Sequence, residues 1–324
     1  MKHGGVEWVN GKPENINDFS VNLNPLGTPE FIKELVYDAV RNSVYSYYPG
    51  SLRPIKELIS EVYNVDVGLI GVFNGSSEVF PLLPPCDVPE PNFSEYKRRR
   101  SYLAKEGSDE FIYHLEGDCV ITSNPVNPTG SYIKKEDVTS FLERGGKLFL
   151  DESFVDISLI ESSTSLAEEF KNVLIISSFT KSLAIPGLRL GFTIGSLSEE
   201  LERRVQPWRV NSITYYVFSN VSPKDIKGFF KKSKEYVKEL HELLDKIPSR
   251  YKKYKSVAPF VLFEFPIHVV ELNKELRRRG FQIRDPEGFI GLRPTHGRVS
   301  LKGDINTLIE IINEIIWNSN DKLY

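Results

Sequence analysis

Lys181 closes the tetrapeptide Ser178-Phe179-Thr180-Lys181 at the end of a short apolar run, and Arg189 follows eight residues later within Pro186-Gly-Leu-Arg189-Leu-Gly191-Phe192. A lysine alone is a surface residue. A lysine among hydroxyls, with an arginine nearby, suits an amine nucleophile beside a phosphate site, because burial and neighbouring cations lower an amine's pKa. Asp151 ends a second apolar run, Leu148-Phe-Leu-Asp151-Glu152-Ser153-Phe154. A carboxylate there is costly unless paired. Either a structural ion pair or a cationic ligand, such as a protonated heterocyclic nitrogen, would compensate it.

Two further loops carry polar groups. In Asn74-Gly75-Ser76-Ser77-Glu78, small residues and free N–H groups at an expected helix start make an anion site. Asn124-Pro-Val-Asn127-Pro-Thr-Gly130 has two X-Pro bonds, which fix the backbone, permit a cis peptide and hold Asn127 rigidly. The five histidines never fall at ligand spacing, and no metal is expected. Cys86 and Cys119 alone give neither a disulfide framework nor a zinc site.

The elements that must position these loops follow from hydrophobic patterning. Apolar runs at Leu69–Phe73, Asp118–Thr122, Lys147–Leu150, Val173–Ile176 and Leu190–Ile194 each end in a polar, Gly- or Pro-containing loop. Strands apolar throughout predict a sheet buried on both faces and mostly parallel, with ligands at the carboxyl ends of its strands. Residues 1–27 lack a helical period and read as an extended arm. Thr28-Pro29-Glu30 predicts a helix start, a hydroxyl cap followed by proline, with Phe31, Leu35, Ala39 and Val40 on one face. Helical signals resume near 198, and Ser222-Pro223 starts a helix whose packing stripe is Ile226, Phe229, Phe230, Val237, Leu240 and Leu244. A strand over Phe260–Phe265, a helix over Val269–Arg279, strands near Phe281–Arg284 and Arg298–Leu301, and a last helix over 304–317 predict a second α/β unit. The expected division is an arm over 1–30 that joins the smaller unit, a large unit over 31–215, and a small C-terminal unit over 216–324. The Lys97–Arg100 run reads as a solvated helix face, with phosphate binding as the alternative.

The 324 residues are 40% hydrophobic and 26% charged, which excludes wholesale disorder. With 41 basic and 44 acidic residues the net charge is −3. That balance gives no general attraction to nucleic acid or anionic membrane. No apolar run approaches the roughly 20 residues of a spanning helix, and the first residues lack a signal-peptide core. A cytoplasmic location is expected.

Taken in order, Asn74–Glu78, Pro91-Asn-Phe93-Ser-Glu-Tyr96, Asn124–Gly130, Asp151–Phe154 and Ser178–Lys181 with Gly187–Phe192 resemble the pyridoxal 5′-phosphate (PLP) enzymes of fold type I, in the class I/II aminotransferase family. The resemblance implies an α/β fold, with a large, mostly parallel-sheet domain and a smaller α/β C-terminal domain. It implies Lys181 as the catalytic Schiff-base lysine and Asp151 as the partner of the pyridinium nitrogen. Asn127 would bind the ring hydroxyl, Phe93 would stack on the ring, and Ser76, Ser77, Ser178 and Arg189 would hold the cofactor phosphate. Tyr48 would reach that phosphate across a homodimer with shared sites. Phe154 stands where many members have a tyrosine.

Lys2-His3-Gly4-Gly5, Asp18-Phe-Ser-Val-Asn-Leu-Asn24-Pro-Leu-Gly27, Pro207–Asn211, Phe281–Asp285, and Phe289-Ile-Gly-Leu292 with Arg298-Val-Ser narrow the resemblance to the threonine-phosphate decarboxylases of cobalamin synthesis, with histidinol-phosphate aminotransferases as near relatives. That branch implies an amino-acid phosphate as substrate. His3, Gly4 and Asn24 would line its phosphate pocket, with Asn127 also near substrate. Arg284 would bind phosphate, and Arg298 a second anion, the carboxylate. Two arginines on adjacent strands suit bidentate anion binding; rim salt bridges are the alternative. The chain departs from the pattern in a compressed Val79–Pro91 segment, in Pro286-Glu287-Gly288, and in Ser153, where alanine is usual.

Overall fold

The computed structural model describes residues 3–320. Lys2 of the opening motif, and the ends of the expected arm and C-terminal unit, lie outside the described residues. Seven strands form the central sheet: β1 (Ile70–Phe73), β2 (Cys86–Glu90), β3 (Arg98–Leu103), β4 (Cys119–Ser123), β5 (Lys147–Asp151), β6 (Val173–Ser178) and β7 (Gly191–Ile194). Their order is β1-β7-β6-β5-β4-β2-β3. All pairs are parallel except those of β7, which runs antiparallel to β6 and β1.

Side chains alternate between faces with period two, so strands apolar at every position feed two cores. Leu148 and Leu150 of β5 face Ile32, Ile55 and Ile59 of the helices Glu30–Arg41 and Arg53–Tyr63. Phe149 faces the opposite way, toward Phe73, Val79, Phe80 and Leu174. Truncating a fully buried member, as in Ile175→Ala, costs about 2–5 kcal/mol. Register levels the strand ends: Asp151 stands opposite Ser123 of β4 and Ile176 of β6. The loops after β4, β5 and β6 therefore emerge side by side.

A second core joins Phe19 of the arm to Val237, Leu240 and Leu244 of the helix Pro223–Lys246, to Ile312 of the helix Ile305–Asn320, and to β8 (Phe260–Glu264), β9 (Phe281–Ile283) and β10 (His296–Ser300). The arm strand Asn17–Phe19 runs parallel to β9. The arm then crosses to the large sheet, where Asn24 N donates to Lys181 O at 3.0 Å and Thr28 Oγ1 to Ala184 O at 2.8 Å. Thr28 thus braces the lysine turn instead of capping its helix, which begins at Glu30 without a side-chain cap.

Three other expectations are corrected. The Lys97–Arg100 run leads into an edge strand, not a helix: Arg98 pairs with the fully buried Glu90 at 2.6 Å, and Arg99 and Arg100 pair with Asp87. These charges neutralise the acids of β2 across the strand pair. Asn74–Glu78 opens only a 3₁₀ turn at Ser76–Glu78, because Pro81 and Pro84 follow too soon for a longer helix. The two cysteines are joined: adjacent parallel strands β2 and β4 bring their Cα atoms to 5.1 Å, and a disulfide links Cys86 to Cys119.

Candidate active site

Lys181 sits in the single helical turn Phe179–Ser182 that follows β6. The turn is fixed by Phe179, which packs on Tyr63, Phe192 and Phe218. It is also fixed by Ser178, whose hydroxyl accepts from Thr180 N and donates to Leu190 O. Lys181 lines a cavity of about 400 Å³ at the strand ends. Burial, and then repulsion from Arg298 and Arg189, lowers its ammonium pKa to about 8, against the opposing pull of Asp151.

Asp151 is buried on the cavity wall. Its Oδ1 accepts from Ser153 Oγ at 2.6 Å and Ser153 N at 3.0 Å, and its Oδ2 accepts from Tyr96 Oη at 2.8 Å. Burial raises its pKa; the Ser153 and Tyr96 bonds and the Lys181 charge pull it down. Asn127 is positioned by its loop: its N–H donates to Ser123 Oγ at 3.0 Å, and Asn124 ties the loop to Ile133 with two bonds.

The turn after β1 brings Ser76 and Ser77 to the cavity, with Arg189 Nη2 donating to Ser77 Oγ at 2.7 Å. Gly75 adopts φ +77°, and a Cβ there would stand 2.3 Å from Arg189 Nη2. The guanidinium can rest on this turn only because the residue is glycine. Phe93 lies edge-on to Phe80 and Tyr96 at 5.8 and 5.5 Å between ring centres.

Arg284 and Arg298 face the same cavity. They exchange both backbone hydrogen bonds, at 3.0 and 2.9 Å, across an antiparallel bridge between the residue after β9 and the middle of β10. Arg284 Nη1 pairs with Asp285 Oδ1 at 2.6 Å. Arg298 meets only neutral acceptors, Asn127 Oδ1 and Ser20 O, and its buried Nε has no partner among the described residues. Burial, then Arg284, lowers its pKa to about 9. From the arm come His3, 3.2 Å from Glu95, and Gly4, which packs so closely on Ser20 that a Cβ would stand 2.5 Å from its carbonyl.

Of the expected site residues, Ser76, Ser77, Phe93, Asn127, Asp151, Lys181, Arg189, His3, Gly4, Arg284 and Arg298 thus share one cavity. Three do not reach it. Ser178 spends its hydroxyl on the turn that holds Lys181. Asn24 faces away: its amide donates to Ser182 O and Ser233 Oγ, and its Oδ1 accepts from Leu26 N. Tyr48 is 77% exposed and stacks on Trp208 at 4.4 Å. Asn22, Tyr96, Ser153 and Phe289 also line the cavity, and the sequence reading gave none of them a role. Asn22 lines the cavity with both amide atoms buried and unpartnered among the described residues.

Away from the cavity, Glu106, Glu264 and His296 cluster together, but Arg293 donates to both carboxylates and Lys252 to Glu106. The group is an ion-pair brace between the hairpin of Lys105–Ile112 and the small sheet. The cavity's donor set is different. An amine, a buried carboxylate and three guanidiniums suit an anionic ligand that also carries a protonable nitrogen.

The family model described as aminotransferase class I and II matches residues 104–315. A protein of Caldanaerobacter subterraneus subsp. tengcongensis, provisionally named a threonine-phosphate decarboxylase, is 30% identical, covering 87% of this chain and 84% of its own. The histidinol-phosphate aminotransferase of the same organism is 25% identical, covering 91% and 92%. The crystal structure of the histidinol-phosphate aminotransferase from Clostridium acetobutylicum superposes with a TM-score of 0.79 at 23% identity, covering 93% of this chain and 99% of that one.

Proposed function

Since the chain belongs to the aminotransferase class I and II family, whose fold-type I members depend on PLP, we propose that it decarboxylates L-threonine O-3-phosphate to (R)-1-amino-2-propanol O-2-phosphate in cobalamin biosynthesis. The cavity fits the cofactor in the chemistry of its donors: a depressed amine at Lys181, a buried carboxylate at Asp151, and the glycine-backed turn carrying Ser76, Ser77 and Arg189. Lys181 would hold the cofactor covalently and Asp151 would hold its ring nitrogen. Asn127 would bind the ring hydroxyl, Phe93 would stack against the ring, and Ser76, Ser77 and Arg189 would grip the phosphate. When bound, the cofactor supplies an electron sink for the pair left on Cα as a bond to it breaks.

The protein's own groups do the rest. An ammonium with a pKa near 8 leaves part of the Lys181 population neutral at neutral pH, the form that attacks a carbonyl and accepts a proton. Arg284, with His3 and Gly4 on the same cavity wall, would bind the substrate phosphate, and Arg298 the carboxylate. Their pairing across one backbone bridge, inside the cavity that holds Lys181, is the observation that carries this reading. A substrate with two anionic ends uses both.

A second reading, transamination of histidinol phosphate, is supported by the 25%-identical relative. Assays of carbon dioxide release from threonine phosphate, run beside 2-oxoglutarate-dependent turnover of histidinol phosphate, separate the two. Turnover of the second without carbon dioxide from the first overturns the decarboxylase. In the proposed reading the enzyme is a cytoplasmic homodimer with shared sites. No helix among the described residues is long and apolar enough to cross a membrane.

A further inference from the structure

Two guanidiniums in one low-dielectric cavity repel strongly, and among the described residues Arg298 has no carboxylate as a hydrogen-bond partner. Aromatic rings take that place. Arg298 lies 5.4 Å from the centre of the Phe260 ring and 5.9 Å from that of Phe289. Phe289 also lies 5.1 Å from Arg284. A ring face carries negative charge density and attracts a cation within about 6 Å, so one phenyl group faces both arginines.

Phe289 is held there firmly. Its N–H donates to Pro286 O at 3.0 Å, its side chain is almost wholly buried, and it forms part of the cavity wall. Gly291, at φ +87°, presses the loop against Leu103, where a Cβ would stand 2.8 Å from Cδ2. The ring is therefore a contact of fixed size that both guanidiniums share.

We propose that Phe289 is a specificity-determining residue that fixes the separation of the two anion sites, so that the enzyme selects α-amino acids bearing phosphate on the β-carbon oxygen over those bearing it one methylene further out. The inference rests on the proposed reading of Arg284 and Arg298 as phosphate and carboxylate sites. Discrimination is a difference of two affinities, so a ratio tests it where a general loss of stability would not.

The experiment titrates the PLP-loaded protein with O-phospho-L-threonine and with O-phospho-L-homoserine, for wild type, Phe289→Tyr, Phe289→Leu and Phe289→Ala, with a melting curve for each. Wild type and Phe289→Tyr are expected to prefer the shorter ligand about tenfold or more. Phe289→Leu, which keeps bulk but loses the ring face, should bind the shorter ligand three- to tenfold more weakly. In Phe289→Ala the preference should fall below about threefold. If Phe289→Ala does not fold, the leucine variant decides. An unchanged ratio in folded Phe289→Ala, or unchanged affinity in Phe289→Leu, overturns the inference and leaves the proposed substrate intact. Failure of wild type to bind either phosphorylated amino acid overturns both.

Discussion

The phenol of Tyr96 donates to Asp151 Oδ2 at 2.8 Å, while Ser153 occupies the other oxygen of the same carboxylate. Burial alone would push Asp151 toward its neutral form, and these donors hold it toward the charged one. A hydrogen bond to a charged group contributes about 1.5–3 kcal/mol. Tyr96→Phe should therefore weaken PLP binding to the apoprotein about tenfold or more, read by fluorescence titration, in a protein that still folds cooperatively. Ser153→Ala should act in the same direction but less, since Ser153 N still donates. Wild-type affinity in both variants would refute the arrangement's role.

How much of this was legible beforehand varied with the physics of each segment. β4 to β7 could be read because runs such as Val173–Ile176 are apolar at every position, as a sheet covered on both faces requires. β2 could not: Asp87, Pro89 and Glu90 break the pattern, and their charges are met only by arginines from β3, a tertiary pairing. Lys181, Asp151 and Arg189 were legible because each lies in a dense local motif. The sequence offers two asparagines, Asn22 and Asn24, in an extended arm, and only the fold shows that Asn22 is the one lining the cavity. The difference is a turn: Leu26 N and Gly27 N fold back onto Asn24, spending its groups locally and leaving Asn22 toward the cavity. The disulfide was hidden by a sequence separation of 33 residues, which sheet order alone closes.

Stability should fall as pH rises through the weakly acidic range because of Glu152. This carboxyl is buried, accepts from Ser163 N at 2.8 Å and from Ser162 Oγ, and is pushed up to about 7 by burial, with the Asp156 charge adding to the rise. Asp156, bonded to Tyr63 at 2.7 Å, is pushed to about 6 for the same reason. A folded-state pKa above the unfolded value means that the native protein binds the proton more tightly. The Glu152 contribution is complete below about pH 4 and declines through about pH 7, by a few kcal/mol at about 1.36 kcal/mol per unit. Glu152→Gln should flatten that decline: relative to wild type its melting temperature should be several degrees higher at pH 8 than at pH 5. Parallel curves would show that Glu152 is ionised in the fold.

Tyr47, Tyr48 and Trp208 are 73%, 77% and 59% exposed, with Tyr48 stacked on Trp208. In the proposed homodimer these exposed aromatic groups would be covered by the partner subunit. Sedimentation should give twice the 37.0 kDa chain mass. Replacing both Tyr48 and Trp208 by aspartate should shift the protein toward monomer and lower PLP retention together. A fully active monomer at assay concentration would contradict the shared site.

Arg284 and Arg298 should separate by substrate. If Arg284 grips phosphate, removing a charge-assisted hydrogen bond of about 1.5–3 kcal/mol costs roughly ten- to a hundredfold in affinity. Arg284→Ala should then weaken threonine phosphate by that factor and free threonine hardly at all, because free threonine never engaged that group. Arg298→Ala should weaken both, because both present a carboxylate to the guanidinium whose buried Nε is otherwise without a partner among the described residues. Melting curves guard against a folding defect, most of all for Arg298, which braces Asn127 and Ser20. Histidinol phosphate has a phosphate and no α-carboxylate, so its binding should depend on one arginine only. Titrating all three ligands into wild type and both variants gives the pattern directly. Tight histidinol phosphate binding, with no measurable threonine phosphate binding in wild type, would replace the decarboxylase by the aminotransferase and leave the cofactor site as described.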